Sequence, residues 1–182
     1  MPLDNEIFKS MEVTIQQEID TVSMRRPHVV ILGAGASLAA CPNGDKKGRK
    51  LPLMNNLVET IGLQQYLAVL SGDSRNDNFE EVYARLIDNK ICVGDLSHLE
   101  KDIYNYFYSL ELPDNPTIYD HLVLSLRSKD IIASFNWDPL LLQALLRNKS
   151  ETELSLPTLL FLHGNVRLGV CLEDKKAGIN GH

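Results

Sequence analysis

The pattern of apolar and polar positions changes its period several times along the chain. Between residues 4 and 24 apolar side chains recur every three or four positions, which predicts an amphipathic N-terminal helix. Residues 28–32, 130–134 and 158–162 are instead short apolar runs without alternation. Runs of this kind are typical of strands buried on both faces of a parallel sheet.

Helical patterns fill most of the chain between the first and second of these runs. Residues 42–52 hold prolines, glycines and basic residues and therefore predict a loop. Beyond this loop, Asn78 and Ser97 each precede a Glu at the spacing of a capping box, and Asn115 precedes a proline. We expect helices to begin near residues 79, 98 and 116.

Strands that alternate with helices predict an α/β fold with a Rossmann-like parallel sheet. We interpret residues 1–182 as one domain with a helical insertion between its first and second strands. Its segments are the N-terminal helix (1–27), the first strand and its turn (28–41), the loop and helical insertion (42–129), the second and third strands with their turns (130–165), and a tail (166–182).

Charge and composition narrow the classes of function. The formal net charge of −6 argues against direct nucleic-acid binding and against an anionic membrane surface. The N-terminus lacks the basic segment followed by an apolar segment that is typical of a secretory signal. No apolar stretch of the sequence is long enough to span a bilayer. Three widely spaced cysteines without a Cys-x-x-Cys pair fit reduced thiols and predict no metal site. We therefore expect a cytoplasmic protein.

A polar cluster follows each of the three predicted strands. The clusters are Gly33-Ala34-Gly35-Ala36-Ser37, Asn136-Trp137-Asp138 and His163-Gly164-Asn165. Because ligands of open α/β sheets bind beyond the carboxyl ends of the strands, we expect the clusters to form one site. The glycine turn lets the backbone approach a phosphate at the start of the next helix. It departs from the dehydrogenase fingerprint, whose third glycine would stand at Leu38.

Each polar side chain also has a structural interpretation. His163 can act as a general base, since imidazole titrates near neutral pH, or can be a hydrogen-bonded residue at a strand end. Asn136 can position a ribose hydroxyl or an attacking water, or can form the turn. Ser37 can bind a phosphate or cap its own helix.

Together the three clusters resemble those of the sirtuin superfamily, and more closely its bacterial SIR2-like NAD-cleaving branch found in anti-phage defence. GAGAS is similar to the first NAD-binding turn of that family, SFNWD to its Asn-x-Asp element and FLHGN to its Leu-His-Gly element, in the same order. LPLMNNLVE and NFEEVYARL resemble weaker features of the same branch. The resemblance covers most of residues 28–165.

The resemblance implies an NAD glycohydrolase that releases nicotinamide and ADP-ribose, with NAD as its substrate. It implies NAD-binding roles for Gly33, Ala34, Gly35, Ala36, Ser37, Asn136 and Asp138, and catalytic roles for Asn136, Asp138 and His163. Asp138 would contact the nicotinamide carboxamide, although it also stands where a helix cap belongs. Lys46, Lys47, Arg49 and Lys50 would close over the pyrophosphate, or form a solvated charge run.

The sequence departs from the sirtuin pattern in two respects. Deacylating sirtuins carry a four-cysteine zinc module after the Leu-His-Gly element, and only Cys171 follows it here, so deacylation is the weaker interpretation. The chain also ends 19 residues after His163, whereas the family continues into strands that hold adenosine. We expect a sheet truncated after its third strand, which by itself binds NAD weakly and cleaves it little.

Partners follow from the same expectation, because the outer strands of a short sheet leave unpaired backbone groups. We expect a homo-oligomer, or association with a sensor or other partner subunit. Two further functions stay open. They are a non-catalytic NAD- or nucleotide-binding module and a subunit-interaction module.

Overall fold

The computed structural model describes residues 14–23, 26–69, 78–88, 93–151, 155–170 and 177–179. Its α-helices are α1 (Ile15–Ser23), α2 (Ala34–Ala40), α3 (Leu57–Ile61), α4 (Phe79–Asp88), α5 (Val93–Tyr108), α6 (Ile118–Ser125) and α7 (Leu140–Glu151), and Gln64–Val69 is a 3-10 helix. Its strands are β1 (Val29–Leu32), β2 (Ile131–Ser134), β3 (Thr158–Phe161), β4 (Leu168–Val170) and β5 (Ala177–Ile179). The predicted α/β class is confirmed.

The strands β1, β2 and β3 form a parallel sheet in that order, with β2 at its centre. Their last residues, Leu32, Ser134 and Phe161, are register neighbours. The three strands therefore end level, and the turns that follow them start side by side. The helices α3 to α6 lie between β1 and β2 in the chain, which confirms the predicted helical insertion.

One face of the sheet packs into the hydrophobic core, and the other face is largely open. Ile132 at the centre of the packed face is fully buried. On the opposite face Val29, Ile31 and Leu160 are 61%, 69% and 44% exposed. The prediction that the strands are buried on both faces is therefore wrong for β1 and β3. An apolar run shows that a strand is hydrophobic but does not show whether a helix covers each of its faces.

The helix starts agree with the sequence at one position and differ at two. α4 begins at Phe79, as predicted. α5 begins at Val93 rather than near 98, because Leu96 extends its apolar stripe by one turn and packs against the core. α6 begins at Ile118 rather than near 116, because Thr117 forms a reciprocal capping box with the aspartate three residues later.

The two ends of the described chain add smaller elements. α1 lies within the predicted N-terminal helix, and positions 4–13 of that prediction lie outside the described residues. In the segment interpreted as a tail, β4 and β5 pair in antiparallel fashion, apart from the main sheet. No helix in the described part of the chain is both long and apolar enough to cross a membrane.

Candidate functional site

The three polar turns border one cavity of about 180 Å³ at the carboxyl edge of the parallel sheet. Its polar lining includes Ser37, Asn136, Asp138 and His163 from the three turns, together with Glu80. Leu57 and Phe107 belong to its apolar wall. Because the strands are parallel and end level, the turns meet at this edge, as the topology predicts.

Ser37 is the centre of a buried hydrogen-bond network at the base of the cavity. Its Oγ donates to Asp138 Oδ2 at 2.6 Å and lies 2.7 Å from the hydroxyl of Tyr119 and 2.8 Å from Nδ2 of Asn136. A serine hydroxyl carries one proton, so the tyrosine and the amide both donate to Ser37. Ser37 lies inside α2, whose N-cap is Gly33, so the alternative that Ser37 caps its own helix is wrong.

Asn136 is fixed through its amide nitrogen. Nδ2 donates to the carbonyl oxygen of Gly33 at 3.0 Å as well as to Ser37. No group among the described residues donates to Oδ1 of Asn136, although the residue lines the cavity. The network therefore holds an acceptor oxygen in one position while leaving it available to a hydroxyl or a water.

Asp138 combines a structural bond with an unusual electrostatic environment. Its Oδ1 accepts a hydrogen bond from the backbone N–H of Leu140 at 3.1 Å, as predicted for a cap at the start of α7. Burial raises the pKa of Asp138, and the bond from Ser37 opposes this rise only in part. Ionisation of this carboxyl is therefore less favourable than that of an exposed aspartate, and its nicotinamide contact stays a prediction.

His163 stands at the rim of the cavity, one turn beyond β3. Its ring packs edge-on against Phe135, with 5.0 Å between the ring centroids. Gly164 follows with φ of +78°, a left-handed conformation that favours glycine and reverses the chain at this point. No hydrogen bond to the imidazole nitrogens is found among the described residues, so the choice between a general base and a hydrogen-bonded histidine stays a prediction. The imidazole is exposed at the rim of the cavity.

A backbone link joins the second turn to the third. Asn165 Nδ2 donates to the carbonyl oxygen of Asp138 at 2.6 Å, and the N–H of Val166 donates to that of Trp137 at 3.0 Å. These bonds fix the distance between the buried network and the histidine. Trp137 also packs edge-on against Phe107, in agreement with its predicted packing role.

The glycine turn leaves open space beside its backbone. Gly33 has an extended conformation that any residue can adopt, and a Cβ built on Gly33 or Gly35 would meet no atom within 4 Å. The packing of the protein itself therefore does not require glycine at either position, whereas the close approach of a ligand would. Ala34 lines the cavity, and Ala36 packs partly against the core.

Tyr119 is a member of the network that the sequence did not reveal. It is fully buried on α6, and burial together with the charge of Asp138 raises its pKa, so its hydroxyl stays protonated as a donor. Ser37 lies 82 residues away in sequence, and Tyr119 belongs to no motif. Its only sequence signal is its place on the apolar face of a helix.

The two weaker sequence features also reach the cavity. LPLMNNLVE supplies Leu51, Pro52, Leu53, Met54 and Leu57 to the lining, and NFEEVYARL supplies Glu80. Nearby, Cys41 is buried, and burial followed by the charge of Asp138 raises the pKa of its thiol to about 11. Cys41 is therefore protonated at neutral pH and is not a nucleophile.

The basic loop is tied to the protein rather than directed at a ligand. Lys46 lies 2.7 Å from Asp114, and Lys47 lies 2.5 Å from Glu111. Arg49 pairs at 2.6 Å with Asp45, which is buried and also accepts three backbone N–H groups. Three of the four basic residues thus already face carboxylates, which argues against the predicted closure of this loop over a pyrophosphate.

Comparisons with known proteins do not indicate a function for this chain. No protein-family model matches the sequence, and a search of curated proteins finds no significant match. The site offers a fixed acceptor oxygen, a buried carboxyl with a raised pKa, an exposed imidazole and an apolar wall. Such a set can orient a hydroxyl-bearing substrate, exclude water from part of it and accept a proton at the rim.

Proposed function

We propose that this chain carries a SIR2-like NAD glycohydrolase site of the sirtuin type, which cleaves NAD to nicotinamide and ADP-ribose. The observation that carries the proposal is the convergence of Ser37, Asn136, Asp138 and His163 on one cavity. These residues belong to the three turns whose sequences resemble the sirtuin motifs. The role in bacterial anti-phage defence follows from the resemblance alone.

The proposed reaction needs three contributions from the protein. The bond between C1′ of the ribose and the pyridine nitrogen breaks, and the bonding electrons leave with nicotinamide. Asn136 holds the ribose or the attacking water through its available Oδ1 oxygen. The water oxygen bonds to C1′, and His163 accepts the proton that this water loses. Ser37 and Tyr119 are positioning residues, because they hold Asn136 and Asp138 in place.

The size of the cavity limits which part of NAD it can enclose. Pockets that bury a whole drug-sized ligand hold about 300–1,000 Å³, whereas this cavity holds about 180 Å³. We propose that it encloses the nicotinamide end, against Leu57 and Phe107, while the adenosine end lies outside it. An apolar wall around the leaving group keeps water away from that side of the ribose.

The residue roles can be tested by measuring nicotinamide release chromatographically at several NAD concentrations. His163→Ala removes the proposed base and is expected to lower turnover about a hundredfold. The matched control is His121→Ala, an exposed histidine on α6 that does not line the cavity. Equal turnover by His163→Ala and His121→Ala would exclude the assigned base.

Asn136 has a separate expected signature. Asn136→Ala is expected to lower turnover more than NAD affinity, because orientation of the ribose or water is needed mainly in the transition state. This comparison requires that the variant keeps its fold. The free energy of unfolding in urea is therefore measured for Asn136→Ala and for the unmodified protein. A loss of affinity with unchanged turnover of bound NAD would make Asn136 a ground-state contact only.

The open sheet face favours a second candidate function, a subunit-interaction module. Val29 and Ile31 on β1 and Leu160 on β3 are exposed apolar residues on the same face of the sheet, and we propose a second copy of the chain as the partner of this face. Ile31→Lys is expected to shift the mass measured by light scattering toward the monomer. The matched control is Ile118→Lys, since Ile118 is 57% exposed on α6. A monomeric unmodified protein would contradict this candidate.

A further inference from the structure

A second cavity of about 420 Å³ adjoins the candidate site. Its lining residues are Phe79, Glu80, Tyr83, Glu100, Ile103, Tyr104, Phe107, Trp137 and Val166. Glu80, Phe107 and Trp137 line both cavities, so the two share a wall. The volume of this cavity lies within the range of about 300–1,000 Å³ that is usual for small-molecule sites.

Aromatic rings form most of this wall. Phe79 and Tyr83 lie 5.8 Å apart on α4, with their planes tilted by 43°. Across the cavity, Phe107 on α5 meets Trp137 edge-on, also at 5.8 Å. Tyr104 completes the set from α5. Five aromatic side chains from two helices and a turn therefore border one space.

The charged side chains that line this cavity are acidic, as far as the described residues show. Glu80 and Glu100 line it, and none of the described lining residues is Lys or Arg. Glu100 accepts a hydrogen bond from the hydroxyl of Tyr83 at 2.5 Å, and this bond raises the pKa of Tyr83. No ion pair joins either glutamate to a cation within the described residues. The cavity thus combines aromatic walls with two carboxylates that form no ion pair in the described part of the chain.

We propose that this cavity binds an organic cation with a compact apolar body, such as a quaternary ammonium or an alkylated amine. The negative faces of aromatic rings attract cations, and such rings surround quaternary ammonium groups in known recognition sites. The two glutamates supply the complementary charge at the rim. This inference does not depend on NAD cleavage, because it rests on the second cavity alone.

The position of Trp137 provides a direct signal for binding. Trp137 is the single tryptophan of the chain and lines the cavity, so its fluorescence reports an occupant. The unmodified protein is titrated with choline and, separately, with 3,3-dimethylbutan-1-ol, a neutral molecule of the same shape. We expect saturable binding of choline, about tenfold tighter than that of the alcohol. Equal affinities, or no saturable binding of choline, would overturn the proposal.

A variant then assigns the signal to this cavity. Glu100 lines only the second cavity, and Glu100→Gln is expected to weaken choline binding several-fold and to leave binding of the alcohol unchanged. Glu59→Gln is the matched control, because Glu59 is exposed on α3 and lines neither cavity. If Glu100→Gln and Glu59→Gln bind choline alike, the cation is not in this cavity. The comparison of choline with its neutral isostere stands even if Glu100→Gln does not fold.

Discussion

Asp138 is a buried acid whose ionisation is expected to lower the stability of the fold. The residue is 5% exposed, and its carboxylate meets the Ser37 hydroxyl and the Leu140 N–H but no cation among the described residues. Burial raises its pKa above the ordinary value of 3.8, so the folded state binds this proton more tightly than the unfolded state does. Asp138→Asn removes the titration. Its single amide oxygen can keep the bond from the Leu140 N–H, whereas its NH2 group takes the place of the oxygen that accepts from Ser37.

The sign of the effect follows from proton linkage. Between 3.8 and the raised pKa the folded protein carries more protons than the unfolded chain, so the free energy of unfolding falls as the pH rises. Each unit of pKa difference corresponds to about 1.4 kcal/mol at neutral pH. We therefore expect the stability of Asp138→Asn relative to the unmodified protein to rise as the pH increases from about 4 to 7, on top of a pH-independent cost for the changed bond to Ser37. The same variant is expected to lose NAD turnover.

Urea unfolding followed by the fluorescence of Trp137, between about pH 2 and pH 7.5, measures this difference. Asp120→Asn is the matched control with the opposite sign. Burial alone would raise the pKa of Asp120, but hydrogen bonds led by Arg147 outweigh it and lower the pKa to about 2. Asp120→Asn is therefore less stable at pH 7, with a deficit that shrinks as the pH falls from 3.8 toward 2. A difference in stability between Asp138→Asn and the unmodified protein that is the same at every pH would refute the reasoning.

Two further predictions concern single positions. Asp120→Ala removes the carboxylate that bonds Thr117, Arg147 and Asn148 and so joins α6 to α7. We expect it to lower the free energy of unfolding, measured in urea, by about 3 kcal/mol. A loss below about 1 kcal/mol, which is typical of a surface ion pair, would contradict this prediction. Gly35→Ala is expected to preserve stability, because its Cβ meets no atom and alanine favours a helix, yet to weaken NAD binding in a calorimetric titration. Unchanged affinity would show that no ligand approaches Gly35.

The position of the three turns was predictable from the sequence because of one geometric rule. Strands of a parallel sheet point the same way, so residues that follow three apolar runs gather at one edge. Ser37, Asn136 and His163 could therefore be grouped without a structure. The rule says nothing about which atoms bond, and the direction of the amide of Asn136 depends on Gly33 and Ser37, about a hundred residues away.

Other features depend on contacts that no local pattern records. The partners of the basic loop, Glu111 and Asp114, belong to the connection between α5 and α6, so the loop sequence alone favoured a free charge run. Tyr119 reads as an ordinary core residue of a helix until the fold brings it to Ser37. The open sheet face was missed for a related reason, because Val29 and Ile31 look like core residues in any apolar run.

The most direct test of the proposed activity is the chemistry of the products. Concentrated protein is incubated with NAD in ¹⁸O-labelled water. The products are then separated, and their masses are measured by mass spectrometry. Hydrolysis at the nicotinamide–ribose bond predicts equal amounts of unlabelled nicotinamide and of ADP-ribose with one ¹⁸O, formed slowly and lost in His163→Ala. NAD consumption no faster than in a protein-free blank, or products cleaved at the pyrophosphate instead, would contradict the account.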